Sequence, residues 1–306
     1  MRLVFVGECM VEIAPDGAAY RKGFAGDTFN MAWYARHLAP ADWQVDFVTA
    51  IGTDAISEEL AGFIAAQSIG TSHLMRKPDR SVGLYLISLQ NGERSFSYWR
   101  SQSAARLLAE DPGDLAAAFQ DADLVCFSGI TLAILDVRGR DNLAAALSEL
   151  HKAGGKIAFD PNIRPRLWAS PAEMRDTITR FAALSDVVLA SFDDEASHFG
   201  DADAKATVAR YTAAGASGVI VKNGPDPVVA FLDGKAVQVP TAAVGKVIDS
   251  TAAGDSFNAA FLISHLLGAP LSQSIAAGST LAGQVIQHPG ALSMQAVDAV
   301  RLRGKA

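Results

Sequence analysis

The stretch DSTAAGDSF occupies residues 249–257. Two carboxylates, Asp249 and Asp255, bracket five small residues, and an apolar helical pattern starts directly after them, over 254–268. The first turn of a helix carries backbone N–H groups without intrahelical partners, at the positive end of its dipole. Small residues let an anion approach that backbone. Ala252, Ala253 and Gly254 are therefore expected to offer three N–H donors to a phosphate. Asp255 at the same mouth would repel that anion. On spacing alone it reads equally as a general base for a hydroxyl attacking the phosphate or as a helix cap.

Outward from this mouth the chain alternates. Short β-branched or aromatic runs lie at 2–8, 45–52, 124–130, 156–162, 186–191 and 218–224, and apolar spacing marks helices at 27–39, 55–69, 139–153, 171–184 and 203–214. Ser170 before Pro171 is a helix start; Gly70 and Gly154 stand where left-handed helix ends are expected. Strand–helix–strand repetition predicts an α/β fold, a mostly parallel sheet with helices on both faces. Two segments depart from it. Residues 82–100 read as two strands around Asn91-Gly92, a strong hairpin signal, and residues 9–26 as strands with a turn at Asp16-Gly17. Together, about 9–26 and 80–102 are expected to form a small β lid on one domain spanning 1–306. A late hairpin is expected at 228–239 on Asp233-Gly234, with a further helix at about 271–287.

Half of the 306 residues are hydrophobic and the formal charge is -7. The charge argues against nucleic acid as a partner, while a locally basic pocket for a small anion remains compatible with it. Two cysteines, Cys9 and Cys126, do not make a disulfide framework, and reduced thiols in a cytoplasmic protein are the expectation. The apolar N-terminal run is too short for a signal peptide, and no window is long enough for a membrane span. The common phosphate-loop, dinucleotide, nucleophile-elbow and zinc-protease motifs are missing, and the six histidines are scattered.

DSTAAGDSF resembles the D-T-[TS]-x-A-G-D-x-F signature of the ribokinase-like (PfkB) carbohydrate kinases. GFAGDTFNMA, residues 23–32, is similar to that family's G-G-x-x-x-N-x-A sugar-binding element. Two motifs more than two hundred residues apart and in the right order are far more specific than either alone. The resemblance covers essentially the whole chain. It implies a ribokinase-like fold and ATP-dependent phosphorylation of a hydroxymethyl group, with ATP and Mg²⁺ and, in some members, a monovalent cation such as K⁺. Asp255 matches the catalytic base, and Ala252, Ala253 and Gly254 the anion hole. Asp249 matches a position near the monovalent-cation loop, or is a turn-forming Asp. Lys222 and Gly224, in VKNGPDP, resemble the element bordering ATP, with Pro225 and Pro227 departing from the family's pattern. Glu195, in SFDDEASHFG, fits the glutamate of an N-x-x-E element that organises Mg²⁺ through water, with Phe192 in place of the asparagine. The bland reading of Asp193, Asp194 and Glu195 is an acidic first helical turn.

Three further stretches, 6–17, 95–105 and 159–170, resemble the members of this family that phosphorylate 2-keto-3-deoxygluconate. A sugar acid needs a cation, preferably a guanidinium that grips a carboxylate with two bonds. By resemblance, Tyr98, Arg100 and Arg164 would contact the keto-acid end, with Tyr85 on the same hairpin. Gly26, Asp27 and Asn30 would bind hydroxyls, Gly26 by close backbone approach. Strand alternation puts Trp99 on the face opposite Tyr98. An apolar face carrying Trp99 and Phe96 is expected to pair two or more copies through the lid. Arg166 reads as a surface or capping residue. The competing readings are a kinase for a neutral sugar and a non-catalytic sugar-binding protein.

Overall fold

The computed structural model describes residues 1–90, 93–241 and 244–303. Its strands, in chain order, are β1 (Arg2–Val6), β2 (Met10–Asp16), β3 (Ala19–Ala25), β4 (Gln44–Ile51), β5 (Leu74–Arg76), β6 (Leu84–Gln90) and β7 (Glu93–Trp99). They continue with β8 (Leu124–Ser128), β9 (Lys156–Asp160), β10 (Val187–Ser191), β11 (Val219–Lys222), β12 (Val228–Leu232) and β13 (Lys235–Val239). The helices are α1 (Asp27–Leu38), α2 (Ala55–Ala66), α3 (Pro112–Phe119), α4 (Gly129–Ile134), α5 (Val137–Lys152) and α6 (Pro171–Ala182). After them come α7 (Phe192–Phe199), α8 (Ala204–Ala214), α9 (Ala253–Leu266), α10 (Leu271–Val285) and α11 (Met294–Arg303).

The central sheet has the order β13-β12-β11-β10-β9-β8-β1-β4-β5. All its pairings are parallel except β11–β12 and β12–β13. Strand β8 is buried throughout and β1 nearly so, because helices cover both faces and every residue must be apolar or satisfied. From β1 the chain builds outward to β4 and β5, then returns to β8 on its other side and proceeds toward β11. That reversal is a topological switch point, and in open α/β sheets ligands bind beyond the carboxyl ends of the strands there.

A second sheet has the order β3-β2-β6-β7: two hairpins joined by a parallel β2–β6 pair. One face places Val11 and Phe24 in the main core. The other gathers Met10, Ala14, Ala25, Tyr85 and Ile87 around Ala291, with Ala252 at the edge. The small sheet therefore sits directly over the helix mouth.

Helices α1 and α9 carry the two sequence motifs; α1 is buried from Thr28 to Ala35, while the first residues of α9, Ala253 to Asp255, are only partly buried. In α9 every residue from Ser256 to Ile263 is buried, and α9 packs between α1 and α10. A helix apolar on all faces belongs to a core, so the groups at its mouth stand on a rigid base.

Several local expectations need correction. The first turn of the small sheet is Gly17-Ala18, since Asp16 still pairs with Ala19. The Asn91-Gly92 turn lies outside the described residues. Gly154 is left-handed, at φ +94, but Gly70 is not: α2 is capped by Gln67 with Ser68 left-handed after it, and Gly70 bridges Asp46, whose side chain occupies the space a Cβ would need. Strand β8 stops at Ser128, where a capping box with Thr131 opens α4. Phe96 shares a face with Tyr98, their rings 6.2 Å apart, and so lies opposite Trp99.

Candidate active site

At the mouth of α9, Ala252 is held in the left-handed region at φ +60. For a residue with a Cβ this is strained, by about 1–2 kcal/mol. The turn is closed by the Ala253 amide donating to Ser250 O at 3.2 Å and the Ser256 amide donating to Ala252 O at 2.9 Å. The expected trio of open amides is thus corrected: Ala253 is engaged within the turn. Among the described residues the Gly254 and Asp255 amides meet no acceptor. A Cβ placed on Gly254 would lie 3.6 Å from Lys222 Nζ. An anion over this mouth would meet backbone amides below and an ammonium beside them.

Asp255 does not cap the helix, since α9 has no side-chain cap. Its Oδ2 instead accepts from Asn30 Nδ2 at 2.8 Å, across from α1. Its carboxyl opens in part to the cleft, yet the surrounding protein pushes its pKa up to about 8, first by desolvation and then by the charge of Asp27. The Asn30 hydrogen bond opposes that rise, the Asp160 charge adds to it, and Lys222 opposes it. A carboxyl with raised proton affinity, beside amides and an ammonium, suits proton abstraction.

Strand ends supply the surrounding groups. Lys222, the last residue of β11, donates to Asn258 Oδ1 at 2.9 Å and lies 3.6 Å from Asp160 Oδ2. Asn258 in turn donates to Asp160 Oδ2 at 2.7 Å. Asp160 ends β9 and is buried, and its other oxygen accepts the Asn162 amide at 3.1 Å. Asn162 Nδ2 donates to Asp27 Oδ2 at 2.7 Å, while Asp27 Oδ1 accepts the Thr28 amide at 2.8 Å. Burial raises the Asp27 pKa, with Ser128 and Asn162 hydrogen bonds opposing. The ends of β8, β9 and β11 and the starts of α1 and α9 thus converge on one side-chain cluster.

Gly26 has a tighter reason to be glycine than ligand approach, because a Cβ there would collide with the backbone carbonyl of Glu8. Its φ of -178 is ordinary extended backbone, so space alone dictates the choice. Asn30, expected on a hydroxyl, has its amide on Asp255. Arg164 follows β9, donates to Ile163 O at 2.7 Å, and lies 3.6 Å from Asp194 at half exposure. On the small sheet, Tyr85 is buried and donates to Glu12, whereas Tyr98 is 53% exposed. Arg100 is only 9% exposed and is ion-paired with buried Glu8. Gly224 forms an exposed turn after β11 at φ +54.

Glu195, expected near Mg²⁺, is engaged by side chains of α8. It is fully buried, Tyr211 donates to its two oxygens at 2.9 and 3.0 Å, and Arg210 donates to Oε2 at 2.6 Å. Burial pushes its pKa up to about 7 against the pull of Arg210. Burial raises the pKa of its neighbour Asp194, which lies 3.6 Å from Arg164, and the charges of Arg164, Asp160 and Lys222 also act on it. Asp249 is buried. Its Oδ1 accepts the Thr251 amide at 3.0 Å and hydroxyl at 2.7 Å, and its Oδ2 accepts the Gly290 amide at 2.7 Å. It fastens the turn before α9 to the loop after α10. Among the described residues no three His, Cys, Asp or Glu side chains form a metal cluster.

Sequence reasoning passed over Asp160, Asn162, Asn258, Asp194 and Glu8. Asn258 had a usable signal: three residues after Asp255, it shares that face of α9. Asp160 and Asn162 stand in the stretch that yielded Arg164, at a strand's carboxyl end. Nothing in the local pattern distinguishes Asp194 from Glu195; the packing of α8 does.

Residues 2–297 match the family model described as pfkB family carbohydrate kinase. The chain is 37% identical over 298 residues to a 2-dehydro-3-deoxygluconokinase of Escherichia coli (strain K12), covering 95% of this chain and 96% of that protein. It is 38% identical over 302 residues to the 2-dehydro-3-deoxygluconokinase of Haemophilus influenzae, covering 95% of each. Among solved structures, the 2-dehydro-3-deoxygluconokinase of Thermotoga maritima superposes with a TM-score of 0.86 at 19% identity, over 100% of this chain and 98% of that one. A mostly parallel sheet, a small covering sheet and a helix mouth of small residues with its own carboxylate go together in this architecture. The chain belongs to the pfkB family of carbohydrate kinases.

Proposed function

We propose that this kinase transfers the γ-phosphoryl group of ATP to the terminal hydroxyl of 2-keto-3-deoxygluconate (2-dehydro-3-deoxygluconate), giving the 6-phosphate. The observation that carries the phosphoryl-transfer reading is Asp255 beside the Gly254 amide and Lys222, at the carboxyl-terminal edge of the sheet. The acid substrate is supported by the two similar proteins with that printed activity and by Arg164 and Arg100 around the cleft.

In this reading Asp255 takes the proton from the attacking hydroxyl, held in place by Asn30. The Gly254 and Asp255 amides and Lys222 stabilise charge on the transferred group. Asp27 and Asn162 fix the sugar's hydroxyls, and Tyr98 and Arg164 the acid end. Closure of the small sheet excludes water from the cleft. The donor set fits Mg²⁺: Asp160 and Asp194 offer hard oxygens beside Lys222, without the closed cage this ion rarely uses. Bound there with ATP, Mg²⁺ would neutralise phosphate charge. For a monovalent cation, Asp249 is read as the residue shaping the loop near it. The reaction is assigned to the cytoplasm, where ATP is plentiful and the free thiols Cys9 and Cys126 stay reduced; among the described residues no helix is long and apolar enough to cross a membrane. A second copy pairing through the small sheet would cover Tyr20 and Trp99, exposed at 63% and 60%, which sedimentation velocity would test.

The deciding experiment is a coupled ATP assay over keto acids, aldonic acids and neutral sugars. Preferred turnover of 2-keto-3-deoxygluconate is expected. Good turnover of fructose or ribose with none of the keto acid would overturn the substrate assignment.

A further inference from the structure

Glu8 follows β1 and Arg100 follows β7, so their ion pair joins the central sheet to the small one. Glu8 is 2% exposed. Both its oxygens, and Arg100 Nε and Nη2, are buried with no hydrogen-bond partner elsewhere among the described residues. The two groups therefore depend on each other. The surroundings are shaped around them: a Cβ on Gly83 would lie 2.8 Å from Glu8 Oε1 and 3.2 Å from Arg100 Cβ. Gly83 has no left-handed φ, so its missing side chain is explained by room for this pair.

A guanidinium presents its five N–H groups in a fixed planar fork. Here the Nε and Nη2 side is buried toward Glu8, while Nη1 is not among the buried nitrogens that lack a partner. The Arg100 guanidinium carbon stands 6.0 Å from the centroid of the Tyr98 ring. Without Glu8, the long side chain would regain its rotamers and its charge would lie buried and uncompensated.

We infer that Glu8 is a positioning residue for substrate recognition, acting through Arg100: it holds the guanidinium by one side and turns Nη1 toward the acid end of the substrate. This inference rests on the keto-acid reading above. A bidentate grip on the substrate through the Nε and Nη2 side of Arg100 is replaced by that side's grip on Glu8, which leaves the substrate the two N–H donors of Nη1.

The test is a double-mutant cycle with Glu8→Ala, Arg100→Ala and the double variant, plus the near-isosteric Glu8→Gln. KM for the keto acid, KM for ATP, kcat and Tm are measured for each. Glu8→Ala should raise KM for the keto acid by roughly tenfold while KM for ATP stays within about twofold. In the Arg100→Ala background the same change should alter KM by less than about twofold, because its effect runs through Arg100. Glu8→Gln, which keeps the shape and loses the charge, should raise KM by about threefold. If Glu8→Ala does not fold, the Gln variant and the double variant, which buries no lone charge, carry the comparison. Wild-type KM values in folded Glu8 variants, or equal increases in both backgrounds, would overturn the role of Glu8. A wild-type enzyme that ignores the keto acid would instead overturn the substrate reading, and the inference with it.

Discussion

Helices α7 and α9 both start at the cleft end of the sheet and both place a carboxylate in their first turn, Glu195 and Asp255. Burial raises both, to about 7 and about 8. Their partners differ. Glu195 meets Arg210 and Tyr211, which α8 brings to it, and both its oxygens are taken. Asp255 meets the Asn30 amide and the charges of Asp27 and Asp160, with Asn30 and Lys222 offsetting them in part. A carboxylate surrounded by donors is structure. One left with a single amide and neighbouring carboxylates has proton affinity to spare. The difference is written in neighbouring elements, since the dipole favours an acid at either helix start.

The largest separation is expected from Asp255→Asn. Loss of a general base lowers kcat by about 10²–10⁴-fold, while the fold should persist. Stability gives a second reading. Asp255 in the folded protein keeps its proton up to about 8, whereas the unfolded chain releases it near the ordinary aspartate value of 3.8. Stability from this group is therefore lost as pH rises through that window. Asn cannot ionise, so the variant's Tm should gain on the wild type from pH 5 to pH 8. Full kcat in Asp255→Asn would remove the base from the mechanism. Lys222→Met comes next: removing the charge beside Gly254 should lower kcat by about 10²-fold and raise KM for ATP. A change confined to KM for the sugar would place Lys222 at the wrong substrate.

Asn30→Ala sharpens the same contrast through pH. The Asn30 hydrogen bond lowers the Asp255 pKa, so its loss moves that pKa up. The acid limb of the kcat/KM profile, which rises with pH as the base ionises, should shift to higher pH, with kcat down by roughly tenfold. An unmoved limb would mean that another group sets it.

Much of this was legible because the signals are local. The helix mouth needs small residues and a carboxylate at fixed offsets, and DSTAAGDSF displays both; the strand–helix alternation gives the parallel sheet for the same reason. Side-chain partners across elements are a different matter. That Arg100 is spoken for by Glu8, more than ninety positions away, leaves no trace in either local pattern. Gly26 looks like a ligand contact in sequence and Gly83 like any strand residue, yet they answer to a carbonyl and an ion pair that only packing brings near. The Ala253 amide is lost to the anion because Ala252 turns left-handed, a conformation a sequence assigns to glycine first.

The smallest effect is expected at the other helix start. If Glu195 serves the packing of α7 on α8 alone, Glu195→Gln should leave kcat within about threefold and the Mg²⁺ requirement unchanged. Glu195→Ala, which strands the Tyr211 hydroxyl and one arm of Arg210, should cost about 2–3 kcal/mol of stability with the same small change in kcat. The pH dependence has a definite sign here too. A folded pKa of about 7, against an ordinary glutamate value of 4.5 in the unfolded chain, means that stability is lost as pH rises through that range. The Gln variant should lack this share of the wild type's fall in Tm between pH 5 and pH 8. Were Glu195→Gln to lose about 10²-fold in kcat, recovered by raising Mg²⁺, the carboxylate would have to swing away from Arg210 during turnover. The division between a structural and a catalytic helix start would then fail.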